Sequence, residues 1–479
     1  MNHLLERAQQ STFFQVIGGE LVATQVEDVI DPSKGVAFQK TPVATAEELD
    51  RAVAAARAAQ PAWEALGWEA RAHALTQFAD AMDAHHEWLA TLHTLEQGMP
   101  FSLSVLFVKA ASQRIRTVAK SRIVDAVLIE DATRRVTERW RPLGVVAAIA
   151  PWNGPVMLGM IKVVTALIAG NTIVLKPSEL TPLSTLELGR LGIGLFPDGV
   201  FNVVAGGGAT GAAMVGHRGF DKVSFTGSTR TGIAIAKASA AFLRPVILEL
   251  GGNDAAILLP DGSIDDLVAA AAQTGFGNNG QFCAAVKRVY APAHLAEEVA
   301  RKLADAANAY VLGAGFEPGV TQGPIQNKAQ FDKVCAIVED AVAAGGRVLA
   351  GGAPLDRPGY FFPPTVIADL KDGVRLVDEE QFGPVLPVIA YDDLQAVIAS
   401  VNAGEYGLTA SIWTRDLDAG EAVAAQLVVG SAAVNRHAAF DPGVPFPMIK
   451  QSGMGIDYAD YGIKGTMRLQ VTTTIKPQA

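Results

Sequence analysis

The sequence predicts an α/β protein built on parallel sheets. From residue 143 onward, short apolar segments alternate with runs of helical periodicity, which is typical of strand–helix–strand units covered on both faces. Of the 479 residues, 49% are hydrophobic and 18% are charged, a composition typical of a folded chain with a large core. Because this length exceeds that of most single domains, we expect more than one.

The N-terminal part predicts short extended pieces followed by helices. Residues 13–42 contain turn signals such as Asp31-Pro32. Thr45-Ala46-Glu47-Glu48 then predicts the start of a helix, with acidic residues in its first turn. The helical pattern continues to about residue 97 and includes a second helix around Trp68–His86.

Residues 121–142 predict a β-ribbon rather than a core strand. Apolar and polar residues alternate along this segment, and many of them are charged. An exposed ribbon has an open edge, which another subunit can cover. The Thr- and Val-rich segment Leu469–Ile475 predicts an extended piece that pairs with the ribbon.

The segments between residues 143 and 435 alternate between strands and helices. In the first part, apolar strands are predicted at Leu143–Ala150, Asn171–Lys176, Val200–Ala205, Lys222–Phe225 and Val246–Leu250, with helices at Thr181–Leu195 and up to about Ala240. In the second, helices are predicted at 263–275, 294–310, 327–344, 393–403 and 417–428, and strands at 287–291, 347–350, 385–390, 409–413 and 431–435.

Polar residues and glycines cluster where the predicted strands end. Trp152-Asn153, Lys176–Glu179 and Gly227-Ser228 each follow an apolar strand. Parallel sheets bind ligands beyond these carboxyl ends, and a glycine turn that opens a helix presents free N–H groups to phosphate. The spacing from Gly227 to Gly232 differs from G-x-G-x-x-G, so an ordinary strand–helix turn is the alternative.

The chain contains two cysteines, Cys283 and Cys335. Cys283 ends the segment Gly277-Asn278-Asn279-Gly280-Gln281-Phe282-Cys283, whose glycines and amides suit a tight, hydrogen-bonded loop around a reactive thiol. A small buried hydrophobe is the alternative for either cysteine. Two cysteines form neither a disulfide framework nor a metal spacing, which indicates a reducing compartment and no metal site.

Charge and hydropathy restrict the expected partners and location. The formal net charge is −10 and no dense run of Lys or Arg is present, which argues against nucleic acid or an anionic membrane as a partner. The longest apolar runs, such as Leu143–Ala150, are too short to span a bilayer. The N-terminus lacks the pattern of a signal peptide, so we expect a cytoplasmic protein.

Six segments, taken together and in this order, resemble the aldehyde dehydrogenase superfamily. The resemblance extends over nearly the whole chain. They are Pro151-Trp152-Asn153-Gly154-Pro155, Lys176-Pro177-Ser178-Glu179, Phe225-Thr226-Gly227-Ser228-Thr229, Leu248-Glu249-Leu250-Gly251-Gly252-Asn253, Gly280-Gln281-Phe282-Cys283 and Glu380-Gln381-Phe382-Gly383-Pro384. The resemblance implies a small-molecule aldehyde as substrate and a homodimer or a homotetramer.

The resemblance also implies a division into domains. Residues 1–120 and 143–251 would form a Rossmann-like, parallel-sheet domain that binds NAD. Residues 252–450 would form a second α/β domain that carries the catalytic cysteine. Residues 121–142 and 451–479 would form a small β-ribbon and tail used for oligomerisation.

The catalytic roles implied by the resemblance fall on three residues. Cys283 matches the nucleophile, which would form a thiohemiacetal and then a thioester. The Asn153 side-chain amide and the Cys283 backbone N–H would stabilise the oxyanion. Glu249 matches the general base that activates water, and its presence favours hydrolysis over transfer to coenzyme A. A solvated surface carboxylate is the alternative for Glu249.

The resemblance further implies a site for NAD. Its residues would be Pro151, Trp152, Lys176, Ser178, Glu179, Gly207, Gly211, Phe225, Gly227, Ser228, Leu250, Gly251, Glu380 and Phe382. The Glu179 carboxylate would repel a 2′-phosphate, which favours NAD. Lys176 could still accommodate that phosphate, so NADP stays open. A surface ion pair is the alternative for Lys176 and Glu179.

The expected substrate pocket is roomy and apolar. Gly154 and Ile161 stand where the family often has aromatic residues, which would widen the aldehyde channel. The expected pocket residues are Gly154, Leu158, Ile161, Phe282, Phe440 and Phe446. They favour an aromatic or otherwise hydrophobic aldehyde, although rings that only pack the core are the alternative.

Three other functions stay open at this point. A semialdehyde dehydrogenase would need a cation for the substrate carboxylate, and Arg436 is the only arginine expected near the pocket phenylalanines. We expect both Arg436 and His437 to be solvated charges. A non-catalytic binding protein could keep the fold, and a cysteine hydrolase would place a histidine beside the thiol.

Pro447 lies in a segment expected to form a loop that differs from the family pattern.

Overall fold

The computed structural model describes residues 2–438 and 440–477. The elements before the ribbon are α1 (Asn2–Gln10), β1 (Gln15–Ile17), β2 (Glu20–Val22), β3 (Val26–Asp31), β4 (Val36–Pro42), α2 (Ala46–Ala65), α3 (Gly67–Ala84), α4 (His86–Gln97) and α5 (Phe101–Ala119). The predicted helix start is confirmed, since the Thr45 hydroxyl accepts from the Glu48 N–H at 3.2 Å and the Glu48 carboxylate accepts from the Thr45 N–H at 2.8 Å.

The next elements follow in strand–helix order. They are β5 (Ala126–Glu130), β6 (Arg134–Pro142), β7 (Val145–Ile149), α6 (Pro155–Ile168), β8 (Thr172–Lys176), α7 (Leu183–Gly192), β9 (Phe201–Val203), α8 (Gly208–Gly216), β10 (Lys222–Thr226), α9 (Thr229–Ala240) and β11 (Val246–Glu249). Every residue of strands β7, β8 and β10 is buried, as expected for parallel strands covered on both faces.

The remaining elements complete a second sheet and return to the first. They are β12 (Asp254–Leu258), α10 (Ile264–Gly275), a 3₁₀ turn (Gly277–Gly280), β13 (Val286–Pro292), α11 (Ala293–Asn308), α12 (Lys328–Ala343), β14 (Arg347–Ala350), β15 (Thr365–Ala368), α13 (Arg375–Asp378), β16 (Val385–Tyr391), α14 (Leu394–Ala403), β17 (Tyr406–Gly407), β18 (Thr409–Trp413), α15 (Leu417–Ala424), β19 (Ser431–Val434), β20 (Phe446–Lys450), β21 (Gly453–Asp457), α16 (Ala459–Lys464) and β22 (Met467–Ile475).

The first sheet runs in the order β17-β20-β21-β11-β10-β7-β8-β9-β1-β2. Strands β11, β10, β7, β8 and β9 are parallel, which confirms the predicted α/β class. The prediction of a loop around Pro447 is wrong. Pro447 lies in β20, and this strand pairs antiparallel with β21. Strand β21 in turn pairs with β11, where Glu249 lies opposite Gly453.

The second sheet runs in the order β14-β15-β16-β13-β12-β18-β19, and all its pairs except β14–β15 are parallel. Strands β20 and β21 lie in the first sheet, so the boundary predicted at residue 450 does not follow the sheets. The division into domains otherwise stays a prediction. No helix within residues 2–438 and 440–477 is long and apolar enough to cross a membrane.

The ribbon forms a separate sheet with the order β22-β6-β5. Strand β22 pairs antiparallel with β6 along its full length, from Met467 opposite Pro142 to Ile475 opposite Arg134. This pairing confirms the predicted partnership of tail and ribbon. Strand β5 is exposed at every residue, and several large apolar side chains on this sheet face solvent.

Candidate active site

The loop before Cys283 is held by buried amide side chains. Asn278 and Asn279 adopt left-handed backbone conformations, with φ of 47° and 58°, which asparagine tolerates better than most residues. The Asn278 side chain accepts a hydrogen bond from Gln97 at 2.8 Å and donates one to the Asn153 backbone oxygen at 3.0 Å. The loop is therefore tied both to a helix of the first part of the chain and to the segment after β7.

A glycine and a lysine fix the end of this loop. Gly280 has a φ of 64°, and a Cβ there would lie 2.5 Å from the Gly275 carbonyl oxygen, so a larger residue would displace the backbone. The buried Lys287 donates to the carbonyl oxygens of Gly280 at 3.0 Å and Phe282 at 2.8 Å. Because both carbonyls flank the turn into Cys283, Lys287 holds the thiol in position.

Asn153 lies beside the same turn. It follows β7, and its side-chain amide donates to the Gln281 carbonyl oxygen at 2.8 Å. An amide carries two N–H donors, so one remains for another acceptor. Asn153 and Cys283 both line one cavity, which allows the second donor to serve a group bound to the sulfur.

Glu249 ends β11 and faces the same cavity. Only 6% of its surface is exposed, which excludes the solvated alternative. Burial raises the pKa of its carboxyl to about 8, and the nearby Cys283 thiol and Lys162 partly oppose this rise. Within the described residues, neither carboxylate oxygen has a partner that meets ordinary hydrogen-bond geometry. The group is thus free to accept a proton from a molecule in the cavity.

The Cys283 thiol is partly exposed, so a small molecule in the cavity can reach it. Desolvation raises its pKa well above the ordinary value, and the negative charges of Glu249, Asp254 and Glu380 add to the rise. The thiol is therefore neutral at rest near neutral pH. A thiolate requires a nearby base or a nearby positive charge.

Lys162 is a site residue that sequence reasoning missed. It lies on α6 in the cavity wall, and its ammonium donates to the Ser224 hydroxyl at 3.2 Å. Burial lowers its pKa, while Asp457 and Glu249 oppose that fall. Lys162 is the only charged residue between Pro155 and Ile168. That lone charge in an apolar helix was a signal available in the sequence.

The expected pocket residues line one cavity of about 1030 Å³ together with Cys283, Glu249 and Asn153. These residues are Gly154, Leu158, Ile161, Phe282, Phe440 and Phe446. Phe440 and Phe446 lie 5.5 Å apart between ring centroids, so the rings contact each other as well as the cavity. The wall is predominantly apolar and aromatic, which suits a hydrophobic molecule.

Helix α5 supplies one wall of this cavity and was not assigned from the sequence. The residues that face the cavity are Leu103, Phe107, Ala110, Gln113, Arg114 and Thr117. Most of them recur at intervals of three or four residues, the period of one helix face, which was the signal that could have found them. Phe107 stacks on Phe282 at 5.9 Å, with the two ring planes 14° apart.

Two expectations about positive groups near the pocket are wrong. Arg436 is not the only arginine there, because Arg114 also lines the cavity. His437 is buried rather than solvated, its Nδ1 lies 2.9 Å from the Ser411 hydroxyl oxygen, and burial lowers its pKa to about 4. Within the described residues, no hydrogen bond joins a histidine ring to the Cys283 thiol, which removes the support for a cysteine hydrolase.

The first group of expected cofactor residues meets at the carboxyl ends of β8 and β9. The buried Lys176 ammonium donates to the carbonyl oxygens of Pro177 at 2.7 Å and Gly206 at 2.6 Å. Burial lowers its pKa to about 8. Its distance to the Glu179 carboxylate is 3.8 Å, and the Glu179 side chain is 45% exposed. The lysine thus bonds to the backbone and leaves Glu179 accessible.

Glycines keep the space beside these two residues open. A Cβ on Gly207 would lie 3.9 Å from the Glu179 carboxylate, and one on Gly211 would lie 3.6 Å from Lys176 Cε. Gly208 starts α8 and a Cβ there would contact nothing within 4 Å. Ser178 lies next to Glu179, with 3.4 Å between their side-chain oxygens. The arrangement leaves a helix N-terminus accessible beside a carboxylate, which fits a ribose and a phosphate.

The next cofactor residues lie at the carboxyl ends of β10 and β11. Phe225 is buried near the end of β10, Gly227 follows that strand, and the Ser228 hydroxyl caps α9 by accepting from the Thr231 N–H at 3.3 Å. Leu250 is buried directly after β11.

Glu380 and Phe382 approach these residues from the second sheet. The Glu380 carboxylate accepts from the Gly252 N–H at 2.9 Å, and a Cβ on Gly251 would lie 2.6 Å from it. Phe382 and Trp152, which follows Pro151, lie 5.5 Å apart in an edge-to-face arrangement. Most of the predicted cofactor residues thus follow the carboxyl ends of strands in the first sheet, and Glu380 meets Gly251 and Gly252 from the second sheet.

The chain is similar to known proteins along nearly its whole length. The model of the aldehyde dehydrogenase family matches residues 22–472. The chain belongs to the aldehyde dehydrogenase family. Phenylacetaldehyde dehydrogenase of Pseudomonas fluorescens is 37% identical over 469 residues, which cover 94% of this chain and 93% of the relative. Geranial dehydrogenase of Castellaniella defragrans is 36% identical over 450 residues, which cover 92% and 94%.

Solved structures show the same fold. The NAD⁺ complex of an aldehyde dehydrogenase from Bacillus cereus has a TM-score of 0.95 and 34% identity, and the match covers 98% of each chain. An NADP-dependent enzyme of E. coli has a TM-score of 0.94 and 35% identity, with 97% of this chain and 98% of that one covered.

Proposed function

We propose that this protein oxidises a hydrophobic aldehyde, aromatic or aliphatic, to the carboxylic acid with NAD as oxidant. The observation that carries the proposal is the meeting of Cys283, Glu249 and Asn153 in one cavity whose exposed lining is mostly apolar. Two relatives are named for geranial and phenylacetaldehyde, which are both hydrophobic aldehydes. Their names support the same substrate class here.

The first chemical step is attack of the Cys283 sulfur on the aldehyde carbon. Because burial keeps the thiol neutral, its proton must leave as the bond forms, and the ionised form of Glu249 is a base that faces the same cavity. The resulting thiohemiacetal oxygen carries negative charge. The free N–H of Asn153 and the backbone N–H of Cys283 stabilise it.

Bound NAD would supply the hydride acceptor, and loss of hydride from the adduct carbon would leave a thioester on Cys283. Glu179 would accept hydrogen bonds from the adenosine ribose, and Glu380 from the nicotinamide ribose. Glu249 first passes the thiol proton to solvent, and its ionised form then takes a proton from water. The water oxygen attacks the thioester carbon, and the acid is released as the C–S bond to the Cys283 thiolate breaks. Because the pKa of Glu249 is raised to about 8, its carboxylate is an effective base near pH 8.

Replacing Glu179 with glutamine is expected to raise the use of NADP. The substitution removes a partly exposed carboxylate that would lie near a 2′-phosphate, while Lys176 stays in place. We expect the ratio of kcat/KM for NADP to that for NAD to rise roughly 5- to 20-fold, mainly through KM. Initial rates with both cofactors measure this ratio, and an unchanged ratio would remove Glu179 from the ribose site.

We also propose that the protein is cytoplasmic and forms a homodimer or a homotetramer. The support for an oligomer is the ribbon sheet, where Leu469, Val471 and Ile475 are 51%, 55% and 71% exposed beside an open edge. A second copy would cover these side chains. Light scattering on the full chain tests this, and the mass of a single 50.2 kDa chain would contradict it.

A panel of aldehydes tests the proposed function. Aromatic, aliphatic and carboxylate-bearing aldehydes are mixed with the protein and either NAD or NADP, and formation of the reduced cofactor is followed by absorbance. We expect the highest kcat/KM for uncharged hydrophobic aldehydes with NAD. A preference for carboxylated aldehydes would instead support a semialdehyde dehydrogenase. The absence of turnover with every aldehyde would support a non-catalytic role.

A further inference from the structure

Arg114 is an unusual feature of the cavity wall. It lies on α5 and only 8% of its surface is exposed. Its Nε has no hydrogen-bond partner, and no hydrogen bond or ion pair joins its guanidinium to another residue in the described parts of the chain. A buried positive group without such partners is costly to fold, so its retention in a cavity requires an explanation.

The guanidinium is held by stacking rather than by hydrogen bonds. Its Cζ lies 3.6 Å from the centre of the Tyr458 ring, and both side chains line the cavity. A guanidinium that stacks by its face keeps its N–H donors at the edge, in the plane of the group. Arg114 therefore presents hydrogen-bond donors to a cavity whose exposed lining is mostly apolar but also includes charged groups such as Lys162 and Asp457.

Nearby charges decide which acceptor suits these donors. Asp441 and Asp457 lie close enough to favour the charged form of Arg114, although burial lowers its pKa. Their negative charges partly balance the guanidinium without satisfying its hydrogen bonds, and Asp457 also lies near the Lys162 ammonium. A substrate carboxylate would be repelled by both aspartates, whereas a neutral oxygen would not.

We propose that Arg114 is a specificity-determining residue that donates a hydrogen bond to a neutral oxygen of the aldehyde other than its reacting carbonyl oxygen. The oxygen would belong to a hydroxyl, ether or carbonyl group on an otherwise hydrophobic aldehyde. This inference rests on the proposed function and narrows its substrate class. Sites built to bond a polar substrate group discriminate strongly against analogues that lack it.

Matched pairs of benzaldehydes test the inference. The hydroxymethyl and ethyl derivatives have similar size but differ by one neutral oxygen, and the carboxylate derivative adds a charge; each is used with the substituent at the meta or para position. With the natural chain and NAD, we expect kcat/KM for hydroxymethyl to exceed that for ethyl roughly 10-fold at one position, mostly through KM. The carboxylate should be the poorest of the three.

Arg114→Met should reverse the preference, because the cavity would then favour the more apolar ethyl group. The ratio between the two substrates is the measured quantity, since a general loss of activity lowers both rates together. Lys109→Met is the matched control: it removes an exposed positive charge from the same helix and should leave the ratio unchanged. Arg114→Lys keeps the charge but loses the planar fork, and should lower the ratio several-fold even if the methionine variant does not fold.

Three results would overturn the inference. The natural chain could show no preference for hydroxymethyl over ethyl at either position, or could prefer the carboxylate. An Arg114→Met or Arg114→Lys variant could retain the full ratio of the natural chain. If ethylbenzaldehydes are oxidised in any of these cases, only the role of Arg114 fails. If no aldehyde yields NADH, the proposed function fails as well.

Discussion

Replacing Cys283 with alanine is expected to abolish aldehyde oxidation and to leave NAD binding largely intact. Removal of the nucleophile prevents the covalent adduct on which every later step depends, and we expect kcat to fall by about four orders of magnitude or more. The Cys283 side chain lies in the wall of a cavity that is lined by none of the predicted cofactor residues. NADH formation measures the loss of activity, and calorimetric titration measures the retained binding of NAD.

Cys335→Ala provides the matched control for that experiment. Cys335 is partly buried on α12 and packs beside the core of the second sheet, so its removal should cost little stability and no activity. An active Cys283→Ala variant would refute the assignment of the nucleophile. If only the Cys335→Ala variant lost activity, the nucleophile would be Cys335 rather than Cys283.

Replacing Glu249 with glutamine is expected to slow hydrolysis of the thioester more than its formation. Glutamine keeps the size of the side chain but cannot take a proton from water, and we expect steady-state kcat to fall about 10²- to 10⁴-fold. Rapid mixing with a hydrophobic aldehyde and NAD should then show a burst of NADH followed by slow turnover. Turnover at the natural rate would mean that another base activates water.

The pH dependence of the natural chain follows from the same group. Burial raises the pKa of the Glu249 carboxyl to about 8, and a general base acts only in its deprotonated form. The rate of thioester hydrolysis should therefore rise as the pH rises through about 8 and level off above it. Glu249→Gln should lose this rise in the hydrolytic step. A rate that falls over the same range would contradict the assignment.

Local signals in the sequence predicted much of the fold. The Thr45–Glu48 capping sequence, the buried apolar strands and the alternating ribbon all depend on neighbours close in the chain, and each lies where it was expected. Local signals could not predict that Pro447 lies in a strand. Its strand joins the first sheet through β21, and β21 approaches β11 only because Gly453 leaves room for the Leu248 carbonyl oxygen. That contact joins segments about 200 residues apart.

In the candidate site, too, residues in local motifs were predicted from the sequence, whereas residues placed by tertiary contacts were not. Cys283, Glu249 and Asn153 lie in distinctive motifs. Their proximity was expected because a parallel sheet brings the carboxyl ends of its strands together. Arg114 lies in no motif, and its exposure depends on which face of α5 meets α6 and Tyr458. His437 resembles a solvated charge in sequence but is buried against Ser411. Burial of a polar side chain is a tertiary property, and adjacent residues do not determine it.

Mass spectrometry of the Glu249→Gln variant tests the central claim most directly. The variant is mixed with NAD and phenylacetaldehyde, quenched in acid and digested, and the peptides that contain the two cysteines are compared. We predict that the Cys283 peptide gains the mass of the phenylacetyl group and that the Cys335 peptide is unchanged. NADH production without an acyl group on Cys283, or an acyl group on Cys335 instead, would contradict the proposed mechanism.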